Sequence, residues 1–229
     1  MSEVHCEAVL FDLDDTLLDH RGAAADALRH WGTDVGLALA PEELAAAWQV
    51  LESRYYARYQ RGELTKLEQR RARIRALLDP VRLGDDEADA MFDAYWSRYR
   101  SAWRAFPDAE AAVRAALDAG LRVGLLTNGD AADQQRKVDA TFLAGLDLPL
   151  FASSELPGAK PDRSAFEFSC AALQVEPGRC LMVGDSYVND IEGALGAGLS
   201  AALLDRSEAT WELPRRARLI RSLAELRFG

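Results

Sequence analysis

In this chain polar and acidic residues repeatedly stand where a run of apolar residues stops. Ala8-Val9-Leu10-Phe11 ends in Asp12-Leu13-Asp14-Asp15-Thr16, and Cys180-Leu181-Met182-Val183-Gly184 ends in Asp185. Between them, Leu121-Arg122-Val123-Gly124-Leu125-Leu126 ends in Thr127-Asn128-Gly129, and Lys160 stands in Gly158-Ala159-Lys160-Pro161-Asp162. An aspartate fixed at the end of a buried strand, as Asp12 would be, can attack phosphorus and form an acyl phosphate, splitting one hard displacement into two. A carboxylate facing a phosphate dianion is repelled unless charge is neutralised first. A hard cation such as Mg2+ can do this, held by the carboxylates of Asp12 and Asp185 and the backbone carbonyl of Asp14. Lys160 offers a compact positive charge. The Thr127 hydroxyl and backbone N–H groups near Asn128 can donate to phosphoryl oxygens. Lysine is otherwise scarce: Lys66, Lys137 and Lys160 stand among many arginines, a composition bias that makes each lysine position worth weighing.

Such residues act together only if the elements carrying them meet. Residues 7–12, 121–127, 180–185 and 199–204 are short apolar runs of the length and content of buried strands, with a weaker one near 148–152 and a short one at 219–220. Helical patterns at 108–119, 131–144, 163–173 and 188–197 separate them, and 222–227 reads as a last helix. Strands alternating with helices mean a parallel sheet with both faces covered, so the fold is α/β and doubly wound. From about 20 to 104 there is no convincing strand. Pro41-Glu42-Glu43 opens a helix with the apolar stripe Leu44, Trp48, Leu51, Tyr55 and Tyr59, broken at Gly62. A second helix carries Leu67, Ile74, Leu77 and Leu78 and stops before Pro80; a third, from Asp85, carries Phe92, Trp96, Tyr99 and Trp103 on one face. Residues 1–19 and 105–229 therefore form the α/β core, with an all-helical insert over 20–104. Open α/β sheets bind ligands beyond the carboxyl ends of their strands, where the strand order reverses, and Asp12, Thr127 and Asp185 all fall at such ends.

The four segments around Asp12, Thr127, Lys160 and Asp185, in this order, resemble the motifs of the haloacid dehalogenase superfamily, and the resemblance covers essentially the whole chain. It implies a Rossmann-like core and identifies the insert as the helical cap of the subgroup whose cap follows the first motif. It also implies that the Asp14 side chain turns to the leaving group, acting as general acid and then as general base for water. Asp190 would brace Lys160 or a metal-bound water from behind. The function implied is a Mg2+-dependent phosphomonoester hydrolase with catalytic Asp12, Asp14, Thr127 and Lys160 and metal-binding Asp12, Asp14 and Asp185; Thr127, Asn128 and Lys160 would hold the substrate phosphate. A cap that excludes bulk water suits a small phosphorylated metabolite, a sugar phosphate or a nucleotide, better than a phosphoprotein.

Other readings compete. A phosphosugar mutase of the beta-phosphoglucomutase kind shares the motifs, but Asp15 stands where that group commonly has glycine. A 2-haloacid dehalogenase needs neither metal nor an acid at Asp14. A receiver-like signalling domain also gathers acids, a threonine and a lysine around Mg2+, but lacks the insert. The Lys66 Schiff base of phosphonate-cleaving relatives goes with a motif lacking the acid at 14. The aromatic residues of the insert read as its own core, and Arg54, Arg58, Arg61, Arg70, Arg71 and Arg73 as mostly a solvated face. His5, His20 and His30 have no metal-type spacing, and His20 is at most a contact on the substrate side.

Composition sets the outer limits. The 229 residues are 49% hydrophobic and 28% charged, an ordinary globular balance. The net charge of −10 opposes binding of a nucleic acid polymer. No apolar run approaches a membrane span, and the N-terminus has no secretory pattern. Cys6, Cys170 and Cys180 read as reduced, small core residues of a cytoplasmic protein, a monomer or homodimer.

Overall fold

Ala8, Val9, Leu10 and Phe11 are all fully buried, so this segment has no face left for water. Such a strand must be covered on both sides, the condition of a parallel sheet between helix layers. The computed structural model, which describes residues 6–207 and 209–228, puts it at the centre of such a sheet. The chain begins with β1 (Ala8–Phe11) and continues through α1 (His20–Asp34), α2 (Pro41–Gln60), α3 (Lys66–Leu77), α4 (Asp85–Ser101) and α5 (Ala109–Asp118). It then alternates through β2 (Arg122–Thr127), α6 (Ala131–Asp139), β3 (Leu150–Ala152), α7 (Arg163–Ala172), β4 (Cys180–Gly184), α8 (Gly193–Gly196), β5 (Ser200–Leu204) and β6 (Ala217–Ile220). His5 lies outside the described residues.

Among the described residues the strands form one six-stranded sheet in the order β3-β2-β1-β4-β5-β6, every pair parallel. This is the doubly wound, Rossmann-like order, and it reverses between β1 and β4. Phe11 is level with Leu125 on one side and Val183 on the other. Asp12 therefore emerges beside the ends of β2 and β4. Alternate residues of β1 face opposite layers. Val9 and Phe11 join Leu125, Val183 and the α5 residues Ala109, Val113 and Ala116. Ala8 and Leu10 join Leu126, Met182 and the α7 residues Phe166 and Cys170. Cys170 and Cys180 are buried and Cys6 is partly buried, all three as free thiols.

The chain divides into two compact units, one holding the residues up to Asp19 and from Arg104 onward, the other His20–Trp103. Where the first unit is interrupted, the Asp19 N–H donates to the Arg104 carbonyl at 3.0 Å and Arg104 Nε donates to the Asp19 carboxylate at 2.8 Å. The second unit is all helical around a core of Trp31, Trp48, Phe92, Tyr95 and Tyr99. The Trp48 and Tyr95 rings lie 4.5 Å apart, and the Trp48 indole N–H donates to the Tyr95 hydroxyl at 3.0 Å. Glu43, Glu68 and Glu87, each at the third position of its helix, accept the N–H of Ala40, Thr65 and Gly84 at 3.2, 2.7 and 2.8 Å. These contacts satisfy donors that a helix start leaves open.

Local expectations fail at α3, over 188–197 and over 222–227. Helix α1, which the sequence pattern does not mark, buries Ala23, Ala24, Ala27, Leu28, Trp31 and Gly32. In α3, Leu67 is 46% exposed while Gln69 and Arg73 are each 4% exposed. Arg73 is not on a solvated face: its guanidinium lies 4.3 Å from the Trp48 ring centroid and donates to Glu52 at 2.7 Å. Over 188–197 a regular helix is replaced by a wide turn at Tyr187–Glu192 and the short α8. The last helix is a single tight turn at Leu223–Glu225. Among the described residues no helix is long and apolar enough to cross a membrane.

Candidate active site

Asp12 is the first residue past the β1 ladder, and its N–H still donates to the Val183 carbonyl at 2.9 Å. Its carboxylate is thus anchored to two strands. One oxygen, Oδ1, accepts from Lys160 Nζ at 2.6 Å, and Oδ2 accepts from the Thr16 hydroxyl at 3.0 Å. Burial pushes the Asp12 carboxyl well above the ordinary carboxylate range; Lys160 pulls it down, and Asp190 and Asp185 push it up again. Lys160 is only 4% exposed. Burial alone would lower its pKa, but the Asp12 and Asp190 carboxylates outweigh it and hold the ammonium charged.

Lys160 also donates to Asp190 Oδ1 at 2.6 Å, so one ammonium joins two buried acids. Its backbone is fixed by Asn128, which donates through Nδ2 to the Lys160 carbonyl at 2.7 Å and accepts the Lys160 N–H at 2.8 Å. The wide turn at Tyr187–Glu192 brings Asp190 back toward the end of β4, where its Oδ2 accepts the Ser186 N–H at 3.0 Å. Gly184 makes room for this. A Cβ at position 184 would overlap the Asp190 carboxylate and sit 2.6 Å from its Cβ. Gly184→Ala is therefore expected to destabilise the fold by about 2 kcal/mol in denaturant unfolding and to lower activity by displacing Asp190. Unchanged stability would show that the turn can relax.

Asp14 faces a different set of partners. Lys137 Nζ lies 2.6 Å from both of its oxygens, and Gln134 Nε2 lies 3.0 Å from Oδ2. Gln134 Nε2 is also 2.6 Å from the Thr127 hydroxyl oxygen. Asp15, between Asp14 and Thr16, adopts φ +62, a left-handed conformation that aspartate tolerates better than most side chains.

The sequence-derived residues thus fall into two groups at the carboxyl end of the sheet. Asp12, Lys160, Asp185 and Asp190 form one; Asp14 and Thr127 join in the other through Gln134. Asn128 acts through its side chain on Lys160. The motifs alone assign no role to Thr16, Gln134 or Lys137. Thr16 could have been found from its spacing of four from Asp12, and Lys137 from the scarcity of lysine. His20 lies in the helical unit, bonded to the Tyr99 hydroxyl at 2.6 Å and Glu52 at 3.2 Å.

Among the described residues, Asp12, Asp185 and Asp190 each bring a carboxylate oxygen within 4.8 Å of the others. Lys160 pairs with two of these carboxylates, Asp12 and Asp190, so the three together carry more negative charge than one ammonium balances, and all the side-chain donors are hard oxygens. The set fits a hard divalent cation. The Asp14 carboxylate is not in this group.

Fold and site together define an α/β enzyme with a buried carboxylate at the switch point of the sheet. A family model described as haloacid dehalogenase-like hydrolase matches residues 6–198. N-acylneuraminate-9-phosphatase of Mus musculus is 29% identical over 216 residues, covering 86% of this chain and 81% of that protein. Phosphoserine phosphatase of Thermus thermophilus is 30% identical over 221 residues, covering 86% and 88%. The magnesium-bound HAD-hydrolase YfnB of Bacillus subtilis has the same fold, with a TM-score of 0.81 at 23% identity over 96% of both chains. The chain belongs to the haloacid dehalogenase-like hydrolases. Within that family it is an enzyme of the phosphatase type, a phosphoric monoester hydrolase.

Proposed function

We propose that the protein is a Mg2+-dependent phosphomonoester hydrolase that works through an aspartyl-phosphate on a small phosphorylated metabolite, a sugar phosphate or a nucleotide. The observation that carries this reading is the buried Asp12 carboxylate held between the Lys160 ammonium and the Thr16 hydroxyl. In the first step an Asp12 oxygen bonds to phosphorus and the ester P–O bond breaks. The electron pair goes to the leaving oxygen, which takes a proton from Asp14. In the second step water attacks phosphorus, Asp14 takes the water proton, and the Asp12 carboxylate is released with inorganic phosphate. Lys160 and the Thr127 hydroxyl hold phosphoryl oxygens, with the backbone N–H near Asn128. Asp190 holds Lys160 in line. A Mg2+ ion on Asp12, Asp185 and the Asp14 carbonyl, with Asp190 close by, would neutralise charge between nucleophile and phosphate.

The two curated relatives are named for phosphorylated small molecules, which supports this substrate class. The reading takes the enzyme as cytoplasmic and as a monomer or homodimer, with no nucleic acid or membrane partner. The test is phosphate release from a panel of sugar phosphates, nucleotides and phosphorylated amino acids. Release is expected with Mg2+, to vanish in EDTA and to return on adding Mg2+, while Ca2+ inhibits through its looser geometry. Full activity in EDTA would contradict the metal assignment. An isomerised phosphosugar without free phosphate would instead mark a mutase.

A further inference from the structure

Helix α6 places Gln134 and Lys137 three residues apart, so they share one face. They are 3% and 5% exposed, and such residues are seldom interior unless they meet a specific partner. Here both partners belong to the reaction proposed above. Lys137 Nζ meets both Asp14 oxygens at 2.6 Å, while Gln134 Nε2 meets Asp14 Oδ2 at 3.0 Å and Thr127 Oγ1 at 2.6 Å. The geometry points to Lys137 and Gln134 as positioning residues: they hold the Asp14 carboxylate in one rotamer beside Thr127, where it can pass a proton to the leaving oxygen. This rests on the phosphatase reading and adds to it the means by which Asp14 is aimed.

The need for such a device follows from where Asp14 sits. It lies beyond β1, and its side chain is 25% exposed. Asp12 is held by strand neighbours, a buried lysine and a hydroxyl, whereas a half-open aspartate can rotate about two side-chain bonds. An ammonium touching both oxygens and an amide touching one fix the plane of the carboxylate. Preorganisation of this kind matters because misplacing a reacting group by about 1 Å can cost about 100-fold in rate. The Gln134 contact has a second effect. An amide N–H donated to Thr127 Oγ1 leaves the threonine hydroxyl hydrogen free to point at a phosphoryl oxygen.

The experiment compares two leaving groups. An alkoxide must be protonated as it departs, and a nitrophenolate need not be. With glycerol 2-phosphate, Lys137→Met is expected to lower kcat/KM, which reports transfer to Asp12 rather than the hydrolysis step that all substrates share, by about 100-fold, the lower end of what general acids supply. With p-nitrophenyl phosphate the loss in kcat/KM should stay below about threefold, while kcat, set by the hydrolysis step that both substrates share, falls by a similar factor for both. In an Asp14→Asn background, Lys137→Met should cost less than about twofold more, because a residue acting through Asp14 has nothing left to act on. Gln134→Leu should slow the alkyl substrate likewise and, through Thr127, the nitrophenyl one as well. Thermal unfolding accompanies each variant, and Lys137→Gln carries the same comparison if Lys137→Met does not fold. Equal Lys137→Met losses in kcat/KM on both substrates, or a loss that persists in full without the Asp14 carboxylate, would overturn the inference. If the wild-type protein releases phosphate from neither substrate, or Asp12→Asn is fully active, the phosphatase reading itself falls. A normal, Asp12-dependent enzyme with uniform Lys137→Met losses in kcat/KM overturns only the positioning role.

Discussion

The Asp12→Asn variant is expected to lose at least about 10^4-fold in kcat while folding as the wild type does. An amide oxygen is too weak a nucleophile to open a phosphate ester. The fold should survive because the replacement nearly preserves shape and partners. The asparagine oxygen can accept from Lys160, and its NH2 group can donate to the Thr16 hydroxyl oxygen. Removing a charge from a site where Asp190 and Asp185 already oppose it takes away repulsion as well as attraction. The change in unfolding free energy should therefore stay within about 1 kcal/mol. Phosphate release at near-wild-type rates would show that the nucleophile is another residue, and a collapse of stability would show that Asp12 is a structural acid.

Lys160→Met should harm both activity and stability. The ammonium lies 2.6 Å from two buried carboxylates, Asp12 and Asp190, and is 4% exposed. Taking away the partner of a buried charge costs more than the ion pair contributes, typically about 3–5 kcal/mol. Denaturant unfolding in EDTA should show a loss of that order, with activity down at least about 10^3-fold as the phosphoryl group loses its cation. Combining Lys160→Met with Asp190→Asn removes one of the two stranded carboxylates and should recover part of the stability but none of the activity. A single variant as stable as wild type would mean that water or rearrangement already solvates the pair.

These residues differ in how plainly the sequence announces them. Asp12, Thr127 and Asp185 are legible because apolar runs need parallel neighbours, and parallel strands put their carboxyl ends on one edge. The register that sets Phe11 level with Leu125 and Val183 turns that rule into adjacency. The partners of Asp14 are not legible in the same way. Lys137 and Gln134 are 123 and 120 residues away along the chain, and their helical spacing does not say what they face. The side chain of Asn128 was likewise hidden, since its partner is the backbone of Lys160. In the helical insert, local periodicity misled at α3. Leu67 faces out and Arg73 in, because Glu52 on α2 and the Trp48 ring supply a buried arginine with charge and a stacking surface. Half of the six buried residues of helix α1 are alanines, which carry little of the contrast on which an amphipathic pattern depends.

Catalysis through an aspartyl-phosphate requires phosphorus to be bonded to Asp12 during turnover. Rapid acid quench of the enzyme with Mg2+ and a substrate from the phosphate-release panel, followed by peptide mass spectrometry, reads this directly. A phosphoryl group is expected on the peptide carrying Asp12, formed in a burst ahead of steady phosphate release and absent from Asp12→Asn. Steady turnover with no phosphoryl-enzyme at any quench time, or a phosphoryl group on another residue, would contradict it.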